Sequence, residues 1–220
     1  SEMCIRDSYY PDRKWATEGD SPSFLYVYAN GLNVPEDITF GGWGGRFSDT
    51  PVENIRGMKF IAQSGKDESR YDPYRMYACA AEGGNSIKRW EREIWNDFAA
   101  PMVWTATDEY SAVNHHPVAI VDGHDDMNCI YKKVKAGRDM EFDASASYDP
   151  DGNPLDFRWE IYAEPSTYKG KINMENGDSP KCRIHIPAEA SGKSLHVILS
   201  LTDWGKPALT AYKRIVVQVL

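Results

Sequence analysis

Six turn-forming residues in unbroken succession, Asp149, Pro150, Asp151, Gly152, Asn153 and Pro154, constrain this chain more than any other feature. Each disfavours regular structure for its own backbone reason, so neither a helix nor a strand can run through them. Directly after them Leu155, Phe157, Trp159 and Ile161 alternate with Asp156, Arg158, Glu160 and Tyr162. That is the period-two pattern of a strand with one buried face, and it places Trp159 in a core. Similar patterns at residues 118–121, 140–144, 182–186, 195–202 and 212–219, with a weaker one at 169–174, also read as strands. Six or seven strands in about a hundred residues predict a β-sandwich. Val197, Leu199 and Leu201 are expected to face its core beside Ile215, Val217 and Val219. In such a topology the loop before Leu155 and the loop 203–210 lie at one end, which makes DPDGNPLD and TDWGKPAL neighbours in space.

Ahead of Asn114, His115, His116 and Pro117 the composition is different, rich in Trp, Tyr, Gly and helix signals, so a domain boundary is placed near residue 115. Residues 24–28 (FLYVY) read as a buried strand ending in a turn at Asn30 and Gly31. FGGWGGRF, residues 40–47, reads as an irregular loop because four glycines remove side chains and permit positive φ. Ile87, Trp90, Ile94, Trp95 and Phe98 recur at helical spacing, which predicts one amphipathic helix capped by Asn85 or Ser86 and stopped or kinked near Pro101. Residues 1–8 (SEMCIRDS) fit no pattern around them, resemble adapter-derived sequence and take no part in the fold reading.

The balance of 25 Lys+Arg against 33 Asp+Glu, a net charge of -8, argues against nucleic acid or an anionic membrane as partner and leaves neutral sugars compatible. No apolar run approaches the roughly 20 residues that span a bilayer. No signal peptide is present, but the chain begins with Ser, so this says nothing about location. Cys79, Cys129 and Cys182 contain no CxxC pair and indicate neither a zinc site nor a complete disulfide framework. Cys129 and Cys182 could pair within the sandwich, or be buried, idle thiols.

Two oxygen- and nitrogen-rich clusters invite a metal reading. Asp149, Asp151, Asn153 and Asp156 offer oxygens at near-alternate positions around Gly152, with Asp203 approaching from the neighbouring loop, as in the first half of a calcium loop. Ca²⁺ is therefore the candidate cofactor. No Glu follows at the twelfth position, and the alternative is an Asx-turn in which these side chains accept backbone N–H groups. His115 and His116 have no third ligand at a recognisable spacing and read as linker residues.

The segment 143–162 resembles the second and third strands of a PKD-like, immunoglobulin-type domain. EGDSPSFLYVYANGLN, FGGWGGRF, IWNDFAAPMVW and HVILSLTDWGKPALTAYKRIVV extend the resemblance along the chain from about residue 9. Together they are similar to the C-terminal half of a bacterial family of cellulose-binding proteins, in which a nucleoside-hydrolase-like α/β domain precedes a β-sandwich. The resemblance implies an α+β remnant of the hydrolase-like domain over residues 9–115 and an all-β sandwich over 116–220. The larger part of the hydrolase-like domain, with its Asp-rich calcium loop, is absent. Glu18 or Asp20 could supply one ligand of that site, while Asp20 is also suited to cap a turn or helix before Ser21 and Pro22.

What the resemblance implies is a non-catalytic cellulose-binding or spacer region of a larger secreted or periplasmic protein, with an upstream hydrolase-like domain as its partner in the parent chain. The alternative is the C-terminal part of a nucleoside-hydrolase-like glycosidase whose catalytic residues lie mostly elsewhere, and a third reading makes the sandwich a rigid connector. Sugar binding calls for exposed rings on a rigid scaffold. Trp204, Tyr148 and Tyr168 are the candidates in the sandwich; Trp43 in the glycine loop is a fourth, unless it packs between the two parts.

Overall fold

The computed structural model describes residues 21–51 and 77–220. Its dominant feature is a two-sheet β-sandwich. One sheet has the order β3-β9-β8-β5, from β3 (Ile130–Val134), β9 (Thr210–Val219), β8 (Ser194–Asp203) and β5 (Leu155–Ile161). The other has the order β4-β7-β6, from β4 (Asp139–Asp143), β7 (Lys181–His185) and β6 (Asn173–Glu175). All pairs are antiparallel except β3 with β9. The core is built from the alternate residues that face inward, including Val197, Leu199, Ile215, Val217 and Val219 from one sheet and Phe142, Cys182 and Ile184 from the other. Leu201 is buried as well. Trp159 stacks on Phe142, with centroids 5.5 Å apart, and its Nε1 donates to the Ser179 carbonyl at 2.9 Å, which satisfies its one polar atom.

Several expected elements differ. Residues 118–121 form only isolated bridges, Val118 to Tyr148 and Val121 to His124, whereas IYKKV forms β3, a strand whose lysines mask its alternation. Residues 24–28 are not a strand: helix α1 (Ser21–Val27) covers most of them, and Phe24 and Val27 point to solvent while Tyr26 is buried. A short apolar run cannot by itself separate helix from strand. Asp20 and Glu18 lie outside the described residues. Two further short strands, β1 (Phe47–Pro51) and β2 (Tyr77–Cys79), pair with each other.

The single amphipathic helix is in fact two, α2 (Asn85–Lys88) and α3 (Glu91–Trp104), broken at Arg89 and Trp90. The break lets Arg89 lie over the Tyr162 ring at 4.2 Å while it pairs with Glu160 and Glu164. Pro101 does not end α3. It falls in the last turn, where only the bond to the Asp97 carbonyl is lost. Trp90 and Ile94 are buried, but Trp95, Phe98 and Met102 are exposed. Among the described residues no helix is long and apolar enough to cross a membrane. Cys129 and Cys182 are free thiols, and burial pushes the Cys182 thiol up to about 11.

The four-stranded sheet is covered on its second face too. Tyr212 and Ile198 point away from the sandwich core into a cluster with Leu32, Trp43, Trp90 and Tyr162. β3 pairs with β9 only along Ile215 to Val219, and residues 30 and 31 take the remaining edge: Tyr212 N–H donates to the Asn30 carbonyl (3.1 Å) and Arg214 N–H to that of Gly31 (3.0 Å). Asn30 Oδ1 accepts from the N–H groups of Leu32 and Asn33 to form the turn. Gly31 has φ +81°, and a Cβ there would stand 2.0 Å from the Tyr212 carbonyl oxygen, so this position admits no side chain.

Arg214 locks the arrangement. Its guanidinium donates to the carbonyls of Leu32 (2.7 Å), Phe40 (3.0 Å) and Gly41 (2.5 Å) and meets His196 Nδ1 at 3.1 Å. His196 must be neutral to accept that bond, and burial, with Arg214 beside it, pushes its pKa down to about 3. An unfolded chain takes up this proton near 6.5, the folded one only near 3. Stability from this site is therefore complete above about pH 6.5 and declines as pH falls toward 3, by up to ~1.4 kcal/mol per unit. His196→Asn keeps an acceptor that does not titrate. Denaturant melts between pH 7.5 and 4.5, roughly, are expected to show a shallower decline for the variant than for wild type.

Candidate functional site

The loops that the sequence places at one end of the sandwich do meet there, and Asn114 joins them. Its Nδ2 donates to Asp203 Oδ2 (2.9 Å) and to the Pro207 carbonyl (2.8 Å), and its Oδ1 accepts from Asn153 Nδ2 at 3.1 Å. A buried amide with both ends occupied spans the two loops. Gly205 makes room for it, since a Cβ there would lie 1.9 Å from Asn114 Oδ1. From the helical side, Asn96 Nδ2 on α3 donates to the Ala208 carbonyl at 2.9 Å.

Of the oxygens expected to hold Ca²⁺, Asp149 Oδ1 and the carboxylates of Asp151 and Asp203 have other partners. Asp149 Oδ1 accepts from the N–H groups of Asp151 and Asn153, both at 2.9 Å, which is the Asx-turn alternative. The Asp151 carboxylate takes the His115 N–H (2.7 Å) and faces its Nδ1 (2.9 Å). Asp203, fully buried, accepts from Gly205 N–H (2.9 Å) and Leu209 N–H (3.0 Å) through Oδ1 and from Asn114 through Oδ2. Asp156 is exposed on β5, on the face opposite Phe157 and Trp159. Among the described residues no group of three or more His, Cys, Asp or Glu is arranged to hold a metal ion. Asp149 Oδ2 is enclosed with no protein partner.

The candidate rings separate into two kinds. Trp204 is 63% exposed and Tyr148 53%. The Asp203 carboxylate, directly before Trp204, accepts from the N–H groups of Gly205 and Leu209, both after it, and so closes the loop that carries the ring. Tyr168 does not join them: it is half-buried against the sandwich core, and its N–H bonds to the Ser194 carbonyl at the start of β8, the end of that strand remote from Asp203. Trp43 is also excluded, at 1% exposure. It stacks on Tyr28 at 5.7 Å and donates from Nε1 to the Tyr212 hydroxyl at 3.3 Å, packing between the two parts of the chain and leaving no face for a sugar.

His115 and His116 tie the linker down. His116 Nε2 bonds to Asp97 on α3, and His115 to Asp151. Sequence reasoning missed Asn114 as the bridge between the loops. The signal available was a lone Asn before two His and a Pro, and one Asn at a junction is not distinctive.

Fold and site together define a β-sandwich with exposed rings on a braced loop end and a helical segment packed on one sheet. Residues 139–219 match the C-terminal domain of the cellulose-binding protein Sde0182, and residues 6–47 match the nucleoside hydrolase-like domain of cellulose-binding Sde182. Both matches are to domains of the same kind of cellulose-binding protein, and together they take in more than half of the chain. A solved structure of a nucleoside hydrolase-related hypothetical protein from Saccharophagus degradans, associated with carbohydrate metabolism, is similar to it at 41% identity and a TM-score of 0.82. That similarity covers 97% of this chain and 50% of the relative, so the chain spans half the relative's length. The PKD domain from KIAA 1837 protein (15% identity, TM-score 0.30, 41% of this chain and 81% of that one) is too distant to carry an argument. The same holds for human CDH23 EC21-23 (13%, 0.34, 48% and 35%). No curated protein matches the chain.

Asn114→Ala strips the bridge and leaves an Asp203 oxygen and the Asn153 amide without that partner. The expected cost is about 1–3 kcal/mol in a urea melt, with Asn114→Asp no better because it sets a second carboxylate against Asp203.

Proposed function

We propose that this chain is a non-catalytic carbohydrate-binding region of a larger secreted or periplasmic protein. On this reading the sandwich is of the PKD-like, immunoglobulin type, and residues up to about 115 are the end of a nucleoside-hydrolase-like domain whose remainder is its partner in the parent chain. The observation that carries the proposal is Trp204, a large ring held out to solvent on a loop that the buried carboxylate of the preceding Asp203 closes onto Gly205 and Leu209. A large ring exposed on a loop of a folded scaffold suits stacking on a sugar face. The match to cellulose-binding domains supports the same ligand class. The match of residues 6–47 to a nucleoside hydrolase-like domain favours the alternative, a glycosidase parent that this region stabilises, and turnover by the parent chain distinguishes the two.

Trp204→Ala is expected to weaken retention on insoluble cellulose by about 1–3 kcal/mol without lowering the melting temperature, because the ring makes a contact of the anchoring kind and none with the core. A pull-down paired with a melt reads both. Retention unchanged in the variant removes Trp204 from the surface.

Ca²⁺ at the Asp149 loop is a second reading, favoured by the enclosed, unpartnered Asp149 Oδ2. If it binds, millimolar Ca²⁺ raises the unfolding temperature and a chelator reverses the rise. Identical melts leave Asp149 as a turn acceptor alone.

A further inference from the structure

The segment joining α3 to the sandwich carries an aromatic arrangement that neither core uses. Tyr110 opens the 3-10 turn Tyr110–Ala112 and is 64% exposed, yet its ring lies flat on the His115 imidazole, with centroids 3.7 Å apart and planes within 13°. His115 is parallel in turn to Trp104, at 5.9 Å and 18°. Both supports are tethered. Asp151 holds His115 through backbone N–H and Nδ1, and Trp104 Nε1 donates to the Asn114 carbonyl at 2.8 Å. The phenol is thus an exposed ring with its plane set in advance. Tyr orders only two χ angles on binding, and a ring already oriented by its backing loses still less.

Its surroundings select among ligands. Asp108 and Glu109 precede it directly, and Asp151 lies behind His115. These carboxylates repel uronic acids, sulfated sugars and phosphates, and leave neutral ligands favoured. Among those, a pyranose with equatorial substituents presents a flat C–H face to a π-system, while its rim hydroxyls can donate to carboxylates. The Tyr110 platform also shares its fastenings with the loops of Tyr148 and Trp204, because Asp151 and Asn153 sit in one of those loops and Asn114 reaches Asp203 in the other.

We infer that Tyr110 is a stacking platform for a neutral, equatorially linked glucan, extending the ring surface of Trp204 and Tyr148 across the junction between the two parts of the chain. The inference rests on the carbohydrate-binding reading above and adds to it a residue and a ligand charge class.

The test uses the full chain with cellohexaose and, as the charged comparison, a hexamer of galacturonic acid. Calorimetry is expected to show cellohexaose bound by wild type, about tenfold or more weakened in Tyr110→Ala, and largely restored in Tyr110→Phe. Nitration of Tyr110 by tetranitromethane, followed by mass spectrometry, reads the same contact without any substitution. Saturating cellohexaose is expected to slow it several-fold, on the order of the fraction of chains bound. If cellohexaose binds wild type and Trp204→Ala weakens it while Tyr110→Ala and nitration are unaffected, the platform is overturned and the carbohydrate reading stands. If wild type binds neither cellohexaose nor cellulose, both fall together. Equal affinity for the galacturonate hexamer overturns the neutral-ligand assignment.

Discussion

Arg214 stands on the face of the sheet turned away from the sandwich core, and its guanidinium is shut off from water. A buried cation is tolerable only when its donors are met, and here backbone carbonyls from Leu32, Phe40 and Gly41 meet them. The rings of Phe40 and Tyr162, with centroids at 5.8 and 5.4 Å, add their π-faces. Burial lowers the guanidinium only to about 10, so it is charged at neutral pH. Three carbonyls can converge on one side chain only where the backbone is free of helix and ladder bonding. That requirement explains the irregular, glycine-rich course of residues 30–45: it supplies Arg214 with acceptors and lays residues 30 and 31 along the open edge of β9.

The consequences reach the loop end. Because the helical segment is seated on the outer face of the sheet, α3 is in place to hold Ala208 through Asn96 and to anchor His116 through Asp97, and the junction after α3 is delivered to the loops it bridges. Asn114 and His115 then join those loops through amide, imidazole and carboxylate hydrogen bonds instead of apolar packing. Exposed rings at that end stand on a framework supported from both parts of the chain.

The sandwich was legible where one periodicity dominated. β4, β5, β7, β8 and β9 each fall within a residue or two of the strand pattern, and the turn run ahead of Leu155 marked the end where the loops gather. Residues 24–28 failed because five apolar side chains fit a buried strand and a half-exposed helix equally. β3 was hidden by paired lysines, and the break at Arg89 has no local signal, since it answers to Tyr162 and two glutamates far along the chain. At the site, the neighbouring loops and the exposure of Trp204 could be read from topology and turn chemistry. Tyr168 could not be placed correctly, because its surroundings come from Ser194, a contact that no local pattern encodes; for Trp43 the alternative of packing between the two parts holds, against Tyr28 and Tyr212.

The double coverage of the four-stranded sheet bears on how this sandwich could be moved between proteins. A fragment severed near residue 115 would carry an intact inner core but would bare Tyr212 and Ile198, open the upper edge of β9 and return the Arg214 cation to solvent beside a neutral His196. Such a surface is apolar, edge-exposed and ready to pair with another strand. The sandwich is therefore not a portable cassette. Wherever it is inherited, the glycine-rich turn that covers it has to be inherited along with it.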